Sequence, residues 1–168
     1  MHNENLQGKI LWCLKQKKGI QLTEPSNNLC SAYLKKAANS LKSMNLNING
    51  GVYDWAADAA YYARYHAIYA LLQKCGIISE IHDCSIALMR FLFKGKIDET
   101  LLVELEGAKK QRIDLIYYTN RLVPQEEIRK NVEAAPGFVL EMEKIISEIN
   151  SSEEINRLRD KLKTFMAV

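Results

Sequence analysis

The sequence has 168 residues, of which 48% are apolar and 26% charged, and its formal net charge is +3. These values are typical of one folded domain with its own core and argue against a disordered chain. No apolar run approaches the roughly 20 residues that span a bilayer, and the N-terminus lacks the basic-then-apolar order of a secretion signal, so we expect a cytoplasmic protein without membrane contact.

Apolar residues recur at helical spacing along nearly the whole chain, and no segment has the alternating pattern of a strand. The predicted helices cover residues 3–18, 29–46, 53–76, 80–94, 99–122, 124–149 and 151–166. Glycine, proline and asparagine mark the short connections between them. Short connections favour antiparallel neighbours, so we expect an all-α fold, an up-and-down antiparallel bundle of five to six main helices.

The segment Tyr53–Gly76 is the most regular helix of the sequence. Two stripes follow it at helical steps, one made only of alanine and one mainly aromatic. The first contains Ala56, Ala60, Ala63, Ala67 and Ala70, and the second Trp55, Ala59, Tyr62, His66 and Tyr69. Because small side chains let another helix approach closely, we expect this helix at the centre of the bundle.

The C-terminal third carries two local signals. Ala135, Pro136 and Gly137 interrupt a helical segment, and a proline inside a helix removes a hydrogen bond, so we expect a kink or break there. Ser151 and Glu154 have the spacing of a capping box, which predicts the start of the last helix. A helix pair of the tetratricopeptide type over residues 29–76 is an alternative interpretation, but the rest of the chain does not repeat it.

The four cysteines, at positions 13, 30, 75 and 84, form no C-x-x-C pair, and the three histidines complete no zinc pattern. Free cysteine is usually buried, so we expect reduced and mostly buried thiols. The sequence also lacks glycine-rich phosphate loops and an H-E-x-x-H motif. We therefore expect no metal and no other cofactor.

Arg112 stands on an apolar stripe of the predicted helix 99–122. A guanidinium there must meet a carboxylate, a carbonyl, a phosphate or water. Two interpretations stay open: an arginine paired with an acid of a neighbouring helix, and an anion-binding arginine in a groove. Basic residues interleaved with aromatic ones can contact RNA phosphates and stack bases. The candidate ligand-binding residues are Arg112, Asp114, Tyr117, Tyr118, Tyr62 and His66.

His66 and His82 are the candidate catalytic residues, because a histidine pKa lies near neutrality and suits a general base. His66 belongs to the aromatic stripe, where a hydrogen-bonded packing residue is the alternative. His82 stands at the start of a predicted helix beside Asp83, where a capping or surface residue is the alternative.

Four segments together resemble the HEPN domain family (higher eukaryotes and prokaryotes nucleotide-binding), in particular its small stand-alone prokaryotic members. They are residues 12–37, 54–77, 80–93 and 112–121, and they cover most of the chain. The resemblance implies one domain over residues 1–168, with an N-terminal extension at 1–27, a bundle core at 28–122 and C-terminal helices at 124–168. It also implies an antiparallel helical bundle that often forms homodimers.

Many HEPN proteins are metal-independent RNases whose motif is an arginine followed, after four to six residues, by a histidine. This sequence departs from that motif, since no arginine stands at that distance before any of its histidines. After Arg112 the three positions hold Tyr117, Tyr118 and Thr119. Tyrosine, with a pKa near 10, is a poor base at neutral pH, so the usual RNase chemistry is not expected.

The resemblance therefore favours a module that binds a nucleotide, RNA or a partner protein. Such a module would be the HEPN half of a nucleotidyltransferase-associated or toxin–antitoxin-type system. Two alternatives stay open: an RNase toxin with a rearranged site that uses His66 or His82, and a purely structural protein-interaction domain.

Overall fold

The computed structural model describes residues 2–166, with side chains from residue 5 onward. Seven helices and two short strands lie within these residues. The helices are α1 His2–Lys15, α2 Asn27–Asn49, α3 Tyr53–Lys74, α4 His82–Leu92, α5 Glu99–Tyr117, α6 Gln125–Glu148 and α7 Ser152–Met166, and the strands are β1 Gln21–Leu22 and β2 Ile77–Ile78. The predicted all-α bundle is confirmed, although the described chain has seven helices rather than five to six.

Helix α3 is the centre of the bundle, as its alanine stripe predicts. Helices α2, α5 and α6 all pack against it. The five alanines of the stripe are completely buried. At one end, Ala56 and Ala60 form a cluster with Met44 of α2 and with Val132 and Ala135 of α6. Methyl groups on α3 therefore allow three helices to lie close to one backbone.

The strands were not expected from the sequence. They form a two-stranded antiparallel sheet in which Gln21 pairs with Ile78 and Leu22 with Ile77. Between α3 and β2 the chain turns at Gly76, whose φ is +65°. A Cβ atom there would lie only 2.4 Å from the carbonyl oxygen of Thr23. Glycine is therefore required at this turn for both its conformation and its size.

We expected a kink or a break at Ala135–Gly137, and helix α6 shows no break there. It is continuous from Gln125 to Glu148 with Pro136 inside it. Pro136 and Gly137 lie on the exposed side, while Ala135 and Phe138 on either side are buried. Pro136 has no N–H to donate to the carbonyl of Val132, and the buried side chains of Ala135 and Phe138 keep the helix in place.

The cysteines correct a second prediction, that of four reduced thiols. Cys13 of α1 and Cys84 of α4 form a disulfide bond, whereas Cys30 and Cys75 are free and buried as expected. Burial raises the pKa of the Cys75 thiol to about 12, so it stays protonated. Spacing along the chain could not reveal the pair, because the two cysteines meet only through the packing of α1 against α4.

No helix within residues 2–166 combines the length and the apolar character that a bilayer crossing needs.

The disulfide closes a sequence separation of 71 residues, so its removal should lower stability through the entropy of the unfolded chain. We expect Cys13→Ser to reduce the free energy of unfolding by about 2–4 kcal/mol. Urea denaturation followed by circular dichroism measures this. Cys30→Ser is the matched control, because it changes a buried thiol without opening a cross-link. An equal loss in both variants would contradict the prediction.

Candidate functional site

Arg112 lies where α5 crosses α3, and side chains of both helices hold its guanidinium. Its Nε donates a hydrogen bond to Asp58 Oδ1 at 2.5 Å. Its Nη2 lies 3.3 Å from the hydroxyl of Tyr62 and 3.5 Å from that of Tyr117. Burial lowers the pKa of Arg112, but the hydrogen bond that it donates to Asp58, together with Tyr62 and Tyr117, outweighs this and raises the pKa. The arginine is therefore charged and fixed in orientation.

Aromatic rings surround the same guanidinium. Its Cζ lies 4.9 Å from the ring centroid of Tyr62, 5.5 Å from that of Tyr61 and 5.7 Å from that of Tyr117. A cation over aromatic faces is attracted to them at these distances. Tyr117 is 64% exposed, so the group of rings reaches the solvent.

His82 packs into these rings from α4. Its Nδ1 is hydrogen-bonded to the hydroxyl of Tyr61, and its ring stacks on Tyr65 with the centroids 3.9 Å apart. Burial and the nearby cations Lys109 and Arg112 lower the pKa of His82 to about 4. At neutral pH the imidazole is therefore uncharged and can accept a proton.

His66 is the second histidine next to Tyr62. Its Nδ1 is 3.3 Å from the hydroxyl oxygen of Ser40 on α2. Its ring centroid is 5.7 Å from that of Tyr62, and the ring centroid of His82 is 6.3 Å from Tyr62. Burial and Lys36 lower the pKa of His66. Tyr62, which is hydrogen-bonded to Arg112, thus has both histidine rings close to its own.

The structure therefore brings together four of the candidate ligand-binding residues, Arg112, Tyr62, Tyr117 and His66, and adds His82. We call this group, with Tyr61, Tyr65 and Asp58, the Arg112 cluster.

Asp114 and Tyr118 do not belong to the Arg112 cluster. Asp114 forms an ion pair with Arg121 and lines a cavity between α3, α5 and α6. The ring of Tyr118 lies beneath the guanidinium of Arg121, 3.8 Å from its Cζ. Helix α5 ends at Tyr117, earlier than the predicted residue 122, so Tyr118 no longer follows the helical spacing.

The sequence prediction missed four functional candidates, Asp58, Tyr61, Tyr65 and Arg64. Asp58 was not singled out, although its position four residues before Tyr62 puts it on the same face of α3. Tyr61 and Arg64 stand next to the aromatic stripe and are buried. No spacing signal separates a buried polar residue on α3 from an exposed one. Within the described part of the chain, no three His, Cys, Asp or Glu side chains are arranged to hold a metal ion.

The lowered pKa of His82 predicts a pH-dependent stability. Below the ordinary histidine pKa of 6.5 the unfolded chain takes up a proton that the folded chain accepts only near pH 4. The stability that the protein has above pH 6.5 should therefore decrease as the pH falls from 6.5 to about 4. We expect His82→Phe, which keeps a ring on Tyr65, to flatten this fall.

Urea midpoints at pH 7.0, 5.5 and 4.5 measure the effect. His66→Phe is the comparison variant, because its pKa is shifted in the same direction. If His82→Phe and the wild type lose stability in parallel between pH 7.0 and 4.5, His82 is not the titrating group.

Comparison with known proteins agrees with the fold and with the sequence resemblance. Among curated proteins, no sequence matches the chain. A family model described as the HEPN domain matches residues 30–161, which include α3, α4, α5 and the whole Arg112 cluster. Since this match extends over most of the sequence, the chain belongs to the HEPN domain family.

Proposed function

We propose that this HEPN domain binds single-stranded RNA, or a nucleotide, at the Arg112 cluster. The observation that carries the proposal is the fixed, charged guanidinium of Arg112 beside tyrosine rings that reach the solvent. Single-stranded RNA is recognised through phosphates and through bases that stack on aromatic or guanidinium planes.

The phosphate contact would use the free part of the guanidinium. Asp58 occupies Nε, and two tyrosine hydroxyls accept from Nη2. Among the described residues, Nη1 has no hydrogen-bond partner and remains for a phosphate oxygen. Because Asp58 compensates much of the positive charge, we expect this contact to position the strand rather than to supply most of the affinity.

The stacking contacts would use exposed rings around this point. Trp55 is 57% exposed and precedes Asp58 and Tyr62 on the same side of α3. Tyr117 and Tyr118 are exposed at the end of α5. Stacking of one base on an aromatic side chain contributes about 1–3 kcal/mol, so two such contacts would dominate binding.

Binding of a fluorescein-labelled, eight-nucleotide single-stranded RNA, followed by fluorescence anisotropy, tests the proposal. We expect Arg112→Gln and Tyr117→Ala each to weaken binding by roughly fivefold or more, since one stacking contact contributes over 1 kcal/mol. Tyr117→Phe, which keeps the ring, should bind nearly as well as the wild type. Arg157→Gln on exposed α7 is the charge-matched control.

Two results would refute the proposal. One is the absence of binding by the wild type at low salt. The other is equal weakening in Arg112→Gln and Arg157→Gln, which would indicate general charge attraction.

A second candidate function is RNA cleavage by a rearranged site. The observation that favours it is the position of Tyr62, bonded to Arg112 and flanked by His66 and His82. A neutral imidazole could take the proton of a ribose 2′-hydroxyl, whose oxygen attacks the adjacent phosphorus while the 5′-oxygen leaves. Arg112 would stabilise the charge that develops on the phosphate.

A cleavage assay with a labelled RNA in the absence of divalent ions tests this candidate. We expect His82→Ala to abolish cleavage if His82 is the base, and His66→Ala if His66 is. Activity governed by His82 should persist at pH 5, because its pKa of about 4 keeps it unprotonated. Intact RNA after incubation with the wild type would exclude the candidate and leave binding as the function.

We also propose a homodimer and a nucleotidyltransferase partner, as the family resemblance implies. The supporting observation is the exposure of large apolar side chains at and just after the end of α5, namely Tyr117, Tyr118 and Leu122. A purely structural interaction domain remains the alternative to both.

A further inference from the structure

The cavity that Asp114 lines lies between α3, α5 and α6, on a different face of α5 from the Arg112 cluster. Its volume is about 660 Å³, within the range of small-molecule sites. Arg64 of α3 lines it, although this side chain is only 1% exposed. Lys110, Gln111 and Asn131 are among the other lining residues.

The hydrogen bonds of Arg64 leave its charge without a carboxylate in direct contact; Glu104, which also lines the cavity, is near enough to favour the charge but forms no ion pair with it. Its Nη1 donates to the carbonyl of Ala60 at 3.2 Å and its Nη2 to the carbonyl of Asn131 at 2.6 Å. Its Nε is buried and has no hydrogen-bond partner. Across residues 5–166, no carboxylate lies within ion-pair distance of it.

Such an arrangement is unusual for a structural arginine. A buried charge without a partner is unfavourable by several kcal/mol, and a buried guanidinium is normally paired with a carboxylate or phosphate. Burial lowers the pKa of Arg64 to about 10, so the group still carries its charge at neutral pH. An anion that enters the cavity would supply the missing counterion.

We propose that this cavity binds a small hydroxylated molecule through an oxyanion group, a phosphoryl or a carboxylate, that pairs with Arg64. Lys110 on the rim adds a second positive charge that forms no ion pair within the described chain.

The acidic side chains around the cavity indicate which other groups the ligand carries. Two charged lining residues are already in ion pairs, Asp114 with Arg121 and Lys130 with Glu126. Glu104 and Glu127 also line the cavity and can accept hydrogen bonds from hydroxyl groups. A sugar phosphate, with an oxyanion at one end and hydroxyls at the other, has this combination of groups.

One hydrogen bond between α5 and α6 lies next to Arg64. The side-chain amide of Asn131 on α6 donates to the Oε1 of Gln111 on α5 at 2.7 Å. The backbone carbonyl of the same asparagine accepts from Arg64, so this amide pair stands beside the guanidinium. If the two amides separate, their N–H groups become additional donors for the oxyanion.

This site is independent of the Arg112 cluster. Gln111 and Arg112 are consecutive on α5, and about 100° of helical rotation directs one toward the cavity and the other toward the tyrosines of α3. Loss of binding at one site should therefore leave the other intact.

Isothermal titration and thermal unfolding with ribose 5-phosphate, inorganic phosphate and succinate test the proposal. We expect ribose 5-phosphate to bind and to raise Tm, and inorganic phosphate to bind more weakly because it lacks the hydroxyls. Binding of succinate without ribose 5-phosphate would also support the site and identify the oxyanion as a carboxylate. Arg64→Met should abolish binding, and Lys110→Ala should weaken it at least threefold.

Arg112→Gln is the control and should leave these affinities unchanged. Arg64→Met should still fold, because an apolar chain replaces an uncompensated charge. If it does not fold, Lys110→Ala on the exposed rim decides the matter. The proposal is overturned if the wild type binds none of the three probes at millimolar concentration, or if Arg112→Gln removes binding while Lys110→Ala does not.

Discussion

The close approach of α2, α5 and α6 to the backbone of α3 is the constraint on which this structure depends. Alanine at every step of one stripe makes that approach possible, since each methyl group fills little space between helices. A larger side chain there would have to displace a whole neighbouring helix. The alanines therefore determine how far the functional side chains of α5 lie from those of α3.

Both candidate sites result from this short distance. Arg112 reaches Asp58 directly because α5 lies against α3. On the adjacent face of α3, Arg64 reaches the backbone of α6 at Asn131. The two arginines differ in one respect: within the described chain, Arg112 has a carboxylate in direct contact and Arg64 has none. The first is thus a paired arginine at a surface of aromatic rings, and the second a buried cation beside a cavity.

The sequence predicted the features that depend on local periodicity. The helices, the alanine stripe and the cation on the α5 stripe follow from spacing within about 20 residues, the length of a typical helix. Asp58 could not be identified as the partner of Arg112, because 54 residues separate them and only packing brings them together. The Cys13–Cys84 disulfide was missed for the same reason.

Two other differences from expectation arise where the surroundings override local rules. Pro136 was expected to kink or break α6, but the helix continues through it, with the proline on the exposed side and buried side chains on either side of it. Asp114 was grouped with Arg112 because they are two residues apart. On a helix that spacing directs side chains to nearly opposite faces, and Asp114 lines the other cavity.

The disulfide extends beyond the region that the family model matches. The HEPN match begins at residue 30, yet Cys13 lies before it and is covalently joined to α4 inside it. Strand β1, also before residue 30, pairs with β2 immediately after α3. A fragment cut to the family limits would keep every residue of both candidate sites while losing a cross-link and a sheet partner. The segment that defines the family is therefore shorter than the segment that the disulfide and the strand pairing join.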